Sequence, residues 1–250
     1  MKFQLKPMLS EIKDLYSQPV SIDRFKKYIS KLQGGTKGDL ALPIGGFNPM
    51  AKEHMLQKIS ELVNLEAERI IEETIQEFNT NLDSSHPEEI TVVLNIADDL
   101  KGGWTNFFST DFDSKFKINA LVNRNFCAPY VWTSESYSRE LIKRRTLEYL
   151  NRTLYRIKKP QPKTLEEHLE QEVFSATSDN NSYQDYNEAS FKKIETYYEE
   201  NKQSEEYDRI FNFFYGDKGS ESLGYKKYGM EKPLGYEYAQ QISKIRRVAA

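Results

Sequence analysis

ITVVLNIADDLKGGWTNFFSTDFD, residues 90–113, is the stretch on which the fold turns. Ile90 to Ala97 is rich in β-branched and aliphatic residues and stops at a double aspartate. An apolar run of this length, with no alternation, predicts a strand buried on both faces inside a sheet. A Gly-Gly turn, Trp104-Thr-Asn and then Asp-Phe-Asp follow. Asp98, Asp99, Asp111 and Asp113 therefore fall close together in sequence, beside glycines and aromatic rings.

Working outward, residues 118–124 and 126–132 read as two further strands, with Arg124-Asn125 as a hairpin turn between them. Helices surround this centre. Leu9, Ile12, Leu15 and Tyr16 recur at helical spacing. Ser21 reads as the N-cap of a second helix that Gly34-Gly35 ends. Asn48-Pro49 opens a long helix with the buried stripe Leu56, Ile59, Val63, Ile70, Ile71, Ile75 and Phe78. That helix runs to about Asn79 with a break near Asn64. Tyr137 to Ile157 carries Leu147, Leu150, Leu154 and Ile157 on one side and Arg145, Arg152 and Arg156 on the other. Thr164-Leu-Glu-Glu167 is a capping box for the next helix. Beyond Thr177 the chain becomes polar, then alternates short aromatic-faced helices with turn-rich segments. Helix exceeds strand and the strands lie together in the middle. The expected class is α+β, helix-dominated, with a small central sheet of about three strands at roughly 89–97, 118–124 and 126–132. One domain over residues 1–250 is expected, with 178–250 as a looser C-terminal helical part.

Composition narrows the function classes. Sixteen Tyr, fourteen Phe and two Trp predict a core built of rings. A net charge of −3 gives no general field to draw nucleic acid or an anionic membrane. The single cysteine, Cys127, excludes an internal disulfide and a multi-cysteine zinc site. It lies in a predicted strand and reads as buried and inert. Lys6, Pro7 and Glu11 interrupt any leader-like apolar run, and no membrane span is expected. A reduced, cytoplasmic setting is the expectation.

Three segments carry candidate chemistry. Hard cations take oxygen ligands, so Asp98, Asp99, Asp111 and Asp113 are candidate ligands for a divalent metal. Paired carboxylates can also divide acid and base work, which makes Asp98 and Asp99 catalytic candidates. The ordered calcium-loop pattern is absent; the structural alternative is that these residues cap a turn or face water. The glycine-rich segment Gly34 to Met50 lacks the P-loop pattern. The helix start at Asn48 can still hold an anion on its free N–H groups, and His54 just beyond it is the best general-base candidate among the three histidines. From Glu135 to Lys159 the chain has eight basic and three acidic residues. Arg144 and Arg145 are candidate anion binders, although Glu166, Glu167, Glu170 and Glu172 offer an internal charge match. Trp104 would wall the pocket.

These features point to a small-molecule or anion-binding protein, or a metal-dependent hydrolase-like enzyme, with its site near the Asp98–Asp113 loop. The other reading is a non-catalytic interaction module whose aromatic, acidic C-terminal third contacts a protein partner.

Overall fold

The computed structural model describes residues 1–33, 41–43, 53–82, 88–100, 105–177 and 188–248. Within them the chain is a helix-dominated α+β protein. The elements run β1 (Lys2–Leu5), α1 (Leu9–Tyr16), α2 (Ile22–Gln33), α3 (Glu53–Asn64), α4 (Ala67–Asn79), β2 (Glu89–Val92), β3 (Asn95–Ala97), α5 (Phe107–Phe116) and α6 (Asn119–Val122). They continue through β4 (Phe126–Cys127), β5 (Tyr130–Trp132), α7 (Arg139–Lys158), α8 (Leu165–Ser175), α9 (Glu188–Asn201), α10 (Tyr207–Ser222) and α11 (Gly235–Val248). Two compact units form: unit 1 from residues 1–107 and 119–149, unit 2 from residues 108–118 and 150–250.

Unit 1 holds the strands. β1, β2 and β4 lie side by side in that order, β3 pairs with β5, and every pairing is parallel. The 89–97 strand therefore exists in two pieces, and the reason is a proline. The register is continuous, with Val92 opposite Cys127 and Asn95 opposite Tyr130, which sets Pro129 across from Leu94. Pro129 has no N–H to give the ladder, so the ladder breaks there. The Val93 carbonyl, left without that donor, accepts instead from the Asn95 side-chain amide at 3.2 Å. From Val92 to Ala97 every residue is buried, as a strand covered on both faces requires.

The structure corrects the sequence in two places here. The 118–124 segment is not a strand: Asn119–Val122 is a helical turn. The expected hairpin at Arg124-Asn125 is a helix-to-strand turn, in which Asn125 takes φ 57° and its carbonyl accepts from Thr91 N–H at 2.8 Å. Short apolar runs do not distinguish a helical turn from a strand. The long helix does break beside Asn64, where Glu66 enters the left-handed region at φ 56°. Ser21 accepts from Arg24 N–H at 3.2 Å, as an N-cap does. β1 is tied down by Asn79, whose amide exchanges two hydrogen bonds with the Phe3 backbone at 2.9 and 2.8 Å.

Unit 2 is helical and its core is aromatic. Phe112, Phe116, Phe211, Phe213, Phe214 and Tyr215 are buried together with Leu165, Leu169 and Ile194. The capping box predicted at Thr164 and Glu167 opens α8. α10 kinks at Gly216, which sits at φ 67°. A Cβ there would lie 2.7 Å from the Met230 carbonyl, so the bend requires glycine. Among the described residues no helix is long and apolar enough to cross a membrane.

Candidate functional site

Parallel strands that end together bring the residues after them to one edge, the usual place for a ligand in such sheets. β3 ends at Ala97 and β5 at Trp132, so Asp98 and Asp99 meet Thr133 and Ser134. Thr133 Oγ1 lies 3.0 Å from Asp98 Oδ1 and 2.9 Å from Asp99 Oδ1, and it accepts from Asp99 N–H at 3.1 Å. A hydroxyl has one proton, so Thr133 can donate to only one of the two carboxylates at a time. Asp99 is further held by Ser134, from N–H at 2.9 Å and Oγ at 2.6 Å. Asp98 Oδ1 also accepts from Leu100 N–H at 3.2 Å, and the Asp98 carbonyl accepts from Thr105 Oγ1 at 2.6 Å.

A further described partner of Asp98 is His54, in the first turn of α3. Its Nε2 lies 2.9 Å from Asp98 Oδ1. The Asp98 side chain is 3% exposed and that of His54 27% exposed, so a buried carboxylate orients a reachable imidazole. A carboxylate facing Nε2 makes that nitrogen the N–H donor and leaves Nδ1 as the basic one. His54 stands in the wall of a cavity of about 900 Å³, together with Tyr16, Gln18, Val20, Arg24, Glu53, Leu56 and Leu100. Burial, with Tyr28 nearby, pushes the Tyr16 phenol upward, so Tyr16 stays neutral.

The other candidates are placed elsewhere. Asp111 and Asp113 lie on α5, in unit 2, each paired to the lysine one turn on: Asp111 with Lys115 at 2.6 Å, Asp113 with Lys117 at 2.8 Å. The four aspartates thus form two pairs with separate partners. Among the described residues no group of three or more His, Cys, Asp or Glu side chains is disposed to hold a metal ion. Arg145 donates to Glu135 and to the Tyr130 carbonyl, both at 2.7 Å, and so ties β5 to α7. Arg144 lies 4.0 Å from Glu148. Asn48, Trp104 and most of the glycine-rich segment lie outside the described residues.

Unit 2 contains a polar cluster that sequence reading missed. Tyr215 OH donates to Asp111 Oδ2 at 2.6 Å and lies 2.7 Å from Tyr236 OH. Lys115 Nζ sits 4.0 Å from the Tyr236 ring centroid. Burial first, then the Asp111 charge, hold both phenols well above their ordinary range and therefore protonated. Arg152 grips Glu172 with two hydrogen bonds of 2.8 and 2.7 Å, both side chains almost wholly buried. This is one instance of the internal charge match between α7 and α8. Sequence signs of the α5 part were the two Asp–Lys spacings of four and the Phe112–Phe116 pair.

Comparison of the chain with family models, with curated protein sequences and with solved structures found no match.

Proposed function

We propose that unit 1 carries a small-molecule site with hydrolase-like chemistry, in which His54 is the general base and Asp98 its positioning carboxylate. The observation that carries this is the 2.9 Å contact between a buried Asp98 and a reachable His54 in a cavity wall. Two further features support it. The cavity volume falls within the range of roughly 300–1,000 Å³ usual for ligand sites. The polar groups sit at the carboxyl ends of parallel strands.

The chemistry follows from the dyad. Asp98 holds the imidazole in one tautomer and stabilises the imidazolium that forms when Nδ1 takes a proton from water. Leu100 N–H and His54 point donors at Asp98 Oδ1, and Thr133 shares its one hydroxyl proton between Asp98 and Asp99, which fixes the carboxylate and with it the ring. Ser17 also lines the cavity, but its hydroxyl donates to the Lys13 carbonyl at 2.9 Å, so water is the better nucleophile. The rings on which an interaction surface would rest are largely committed to the core of unit 2.

The test is turnover of p-nitrophenyl esters and p-nitrophenyl phosphate by the full chain, in EDTA and with Mg²⁺, Mn²⁺, Ca²⁺ or Zn²⁺ added singly. Loss of a positioned general base lowers the rate on the order of 10²–10⁴-fold, and His54→Gln is expected to show that loss. Turnover equal to that of His54→Gln for every substrate sinks the proposal. Turnover that needs one ion and disappears in Asp98→Asn plus Asp99→Asn assigns the aspartates to a metal instead.

A further inference from the structure

Among the described residues, the wall of the unit 1 cavity combines apolar surface with one arginine and the carboxylate of Glu53. Its described apolar surface is Pro19, Val20, Leu56, Leu100 and the neutral ring of Tyr16. Val20 belongs to this wall and is 54% exposed, so its side chain is open to an occupant. The described cation in the wall is Arg24, which is buried and already engaged. It donates to the carbonyls of Tyr16 at 3.4 Å and Gln18 at 3.0 Å, and its guanidinium lies 5.1 Å from the Tyr16 ring centroid. That geometry closes the turn between α1 and α2. Against this one committed cation stand Glu53 in the wall and Asp98 directly behind His54. Among the described residues, an anion at His54 therefore meets the Asp98 carboxylate behind the ring, while the apolar residues offer surface to a hydrocarbon tail.

Building on the hydrolase-like reading above, we propose that the ligand is an uncharged acyl compound with an apolar tail, a neutral ester or amide, and not an anion. The tail lies along Val20, Leu56 and Leu100, and the acyl carbon faces His54. Water gives its proton to His54 Nδ1 as its oxygen bonds to the acyl carbon. The bond from that carbon to the alcohol oxygen or amine nitrogen then breaks, and the leaving group takes the proton from His54. The products are a carboxylic acid and an alcohol or amine. The acid ionises at neutral pH, and the charge pattern that disfavours an anionic ligand favours its release.

Hexanamide and hexanoate are the decisive probes, being alike in shape and different in charge. Their binding is measured by calorimetry on the full chain and on His54→Gln, with propanamide and butanamide completing the neutral series. Hexanamide is expected to bind about tenfold more tightly than hexanoate or better. Affinity should rise about fourfold per methylene along the amides, which is ~0.8 kcal/mol for each CH₂ buried. Val20→Ser, at an exposed position that leaves folding intact, should flatten that rise. Hexanoate binding as tightly as hexanamide, a flat series, or no binding of any amide at millimolar concentration overturns the inference. The two proposals fail separately. Amide binding that follows chain length in a chain that turns over no ester leaves the ligand class standing and removes the hydrolase-like reading. Ester turnover that depends on His54 but ignores chain length does the reverse.

Discussion

Two polar clusters in this protein surround buried carboxylates with different partners. In unit 2, Asp111 is answered by Lys115 and Tyr215, and Glu172 by Arg152, inside a shell of aromatic rings. Each buried carboxylate has a cation of its own. In unit 1, Asp98 is just as buried, but the group it holds is an imidazole at a cavity wall. A buried carboxylate matched by a buried cation rigidifies a core. In the proposed reading, one matched by a reachable imidazole takes part in chemistry. Burial of charge alone does not separate these cases; the exposure of the partner does.

The sharpest way to break the contrast lies in unit 2. Arg152→Met leaves Glu172 buried and unpaired, and the expected loss is about 3–5 kcal/mol in a urea titration. Replacing Glu172 by Met as well should recover most of it. His54→Gln, by contrast, leaves Asp98 with Leu100 N–H and Thr133 as donors, and the expected loss is about 1 kcal/mol. Equal losses from Arg152→Met and His54→Gln would erase the distinction between the clusters.

Asn95→Val comes next in size. It takes from Val93 the donor that Pro129 cannot supply, and a buried carbonyl left unsatisfied costs about 1–3 kcal/mol. A fully stable Asn95→Val variant would show that the break in the ladder needs no such repair. Thr133→Val should lower stability by about 1 kcal/mol by removing the shared hydroxyl, with Thr133→Ser recovering it.

The smallest effect concerns pH. Burial among Phe112 and Phe116 is the main cause that lowers the His168 pKa from 6.5, against the opposing hydrogen bond to the Thr164 carbonyl. The unfolded chain then binds more protons than the folded one below about pH 6.5. Stability from His168 is full above that value, falls as the pH drops from about 6.5 toward the lowered folded pKa, and falls no further below it. His168→Gln should flatten this acid limb in melts taken from pH 7 to pH 4.

How much of this was legible beforehand differs between elements. Helices with a clear stripe and cap were readable: the Thr164–Glu167 capping box and the break beside Asn64 are both present. α5 was not, because its phenylalanines are interleaved with Asp and Ser and give no clean apolar face. Its signals were the Asp111–Lys115 and Asp113–Lys117 spacings and the Phe112–Phe116 pair. The strand β1 is only four residues long with a polar alternation, too little to recognise. Pairing direction was invisible, since an apolar run looks the same in parallel and antiparallel sheets. The candidate site was legible residue by residue and not as an arrangement. Asp98 and His54 stood out singly, but they are 44 positions apart and only the fold brings them together. Tyr215 meets Asp111 across 104 positions, and nothing local announces that pairing.

The central claim is that Asp98 fixes His54 as one tautomer, with Nδ1 as the base. Nitrogen-15 NMR of the imidazole ring reads this directly, in the full chain and in Asp98→Asn. The account predicts that the neutral form of His54 carries its proton on Nε2 in the parent chain, and that this preference is lost in the variant. A neutral His54 protonated at Nδ1, or the same tautomer mixture in both proteins, would contradict it.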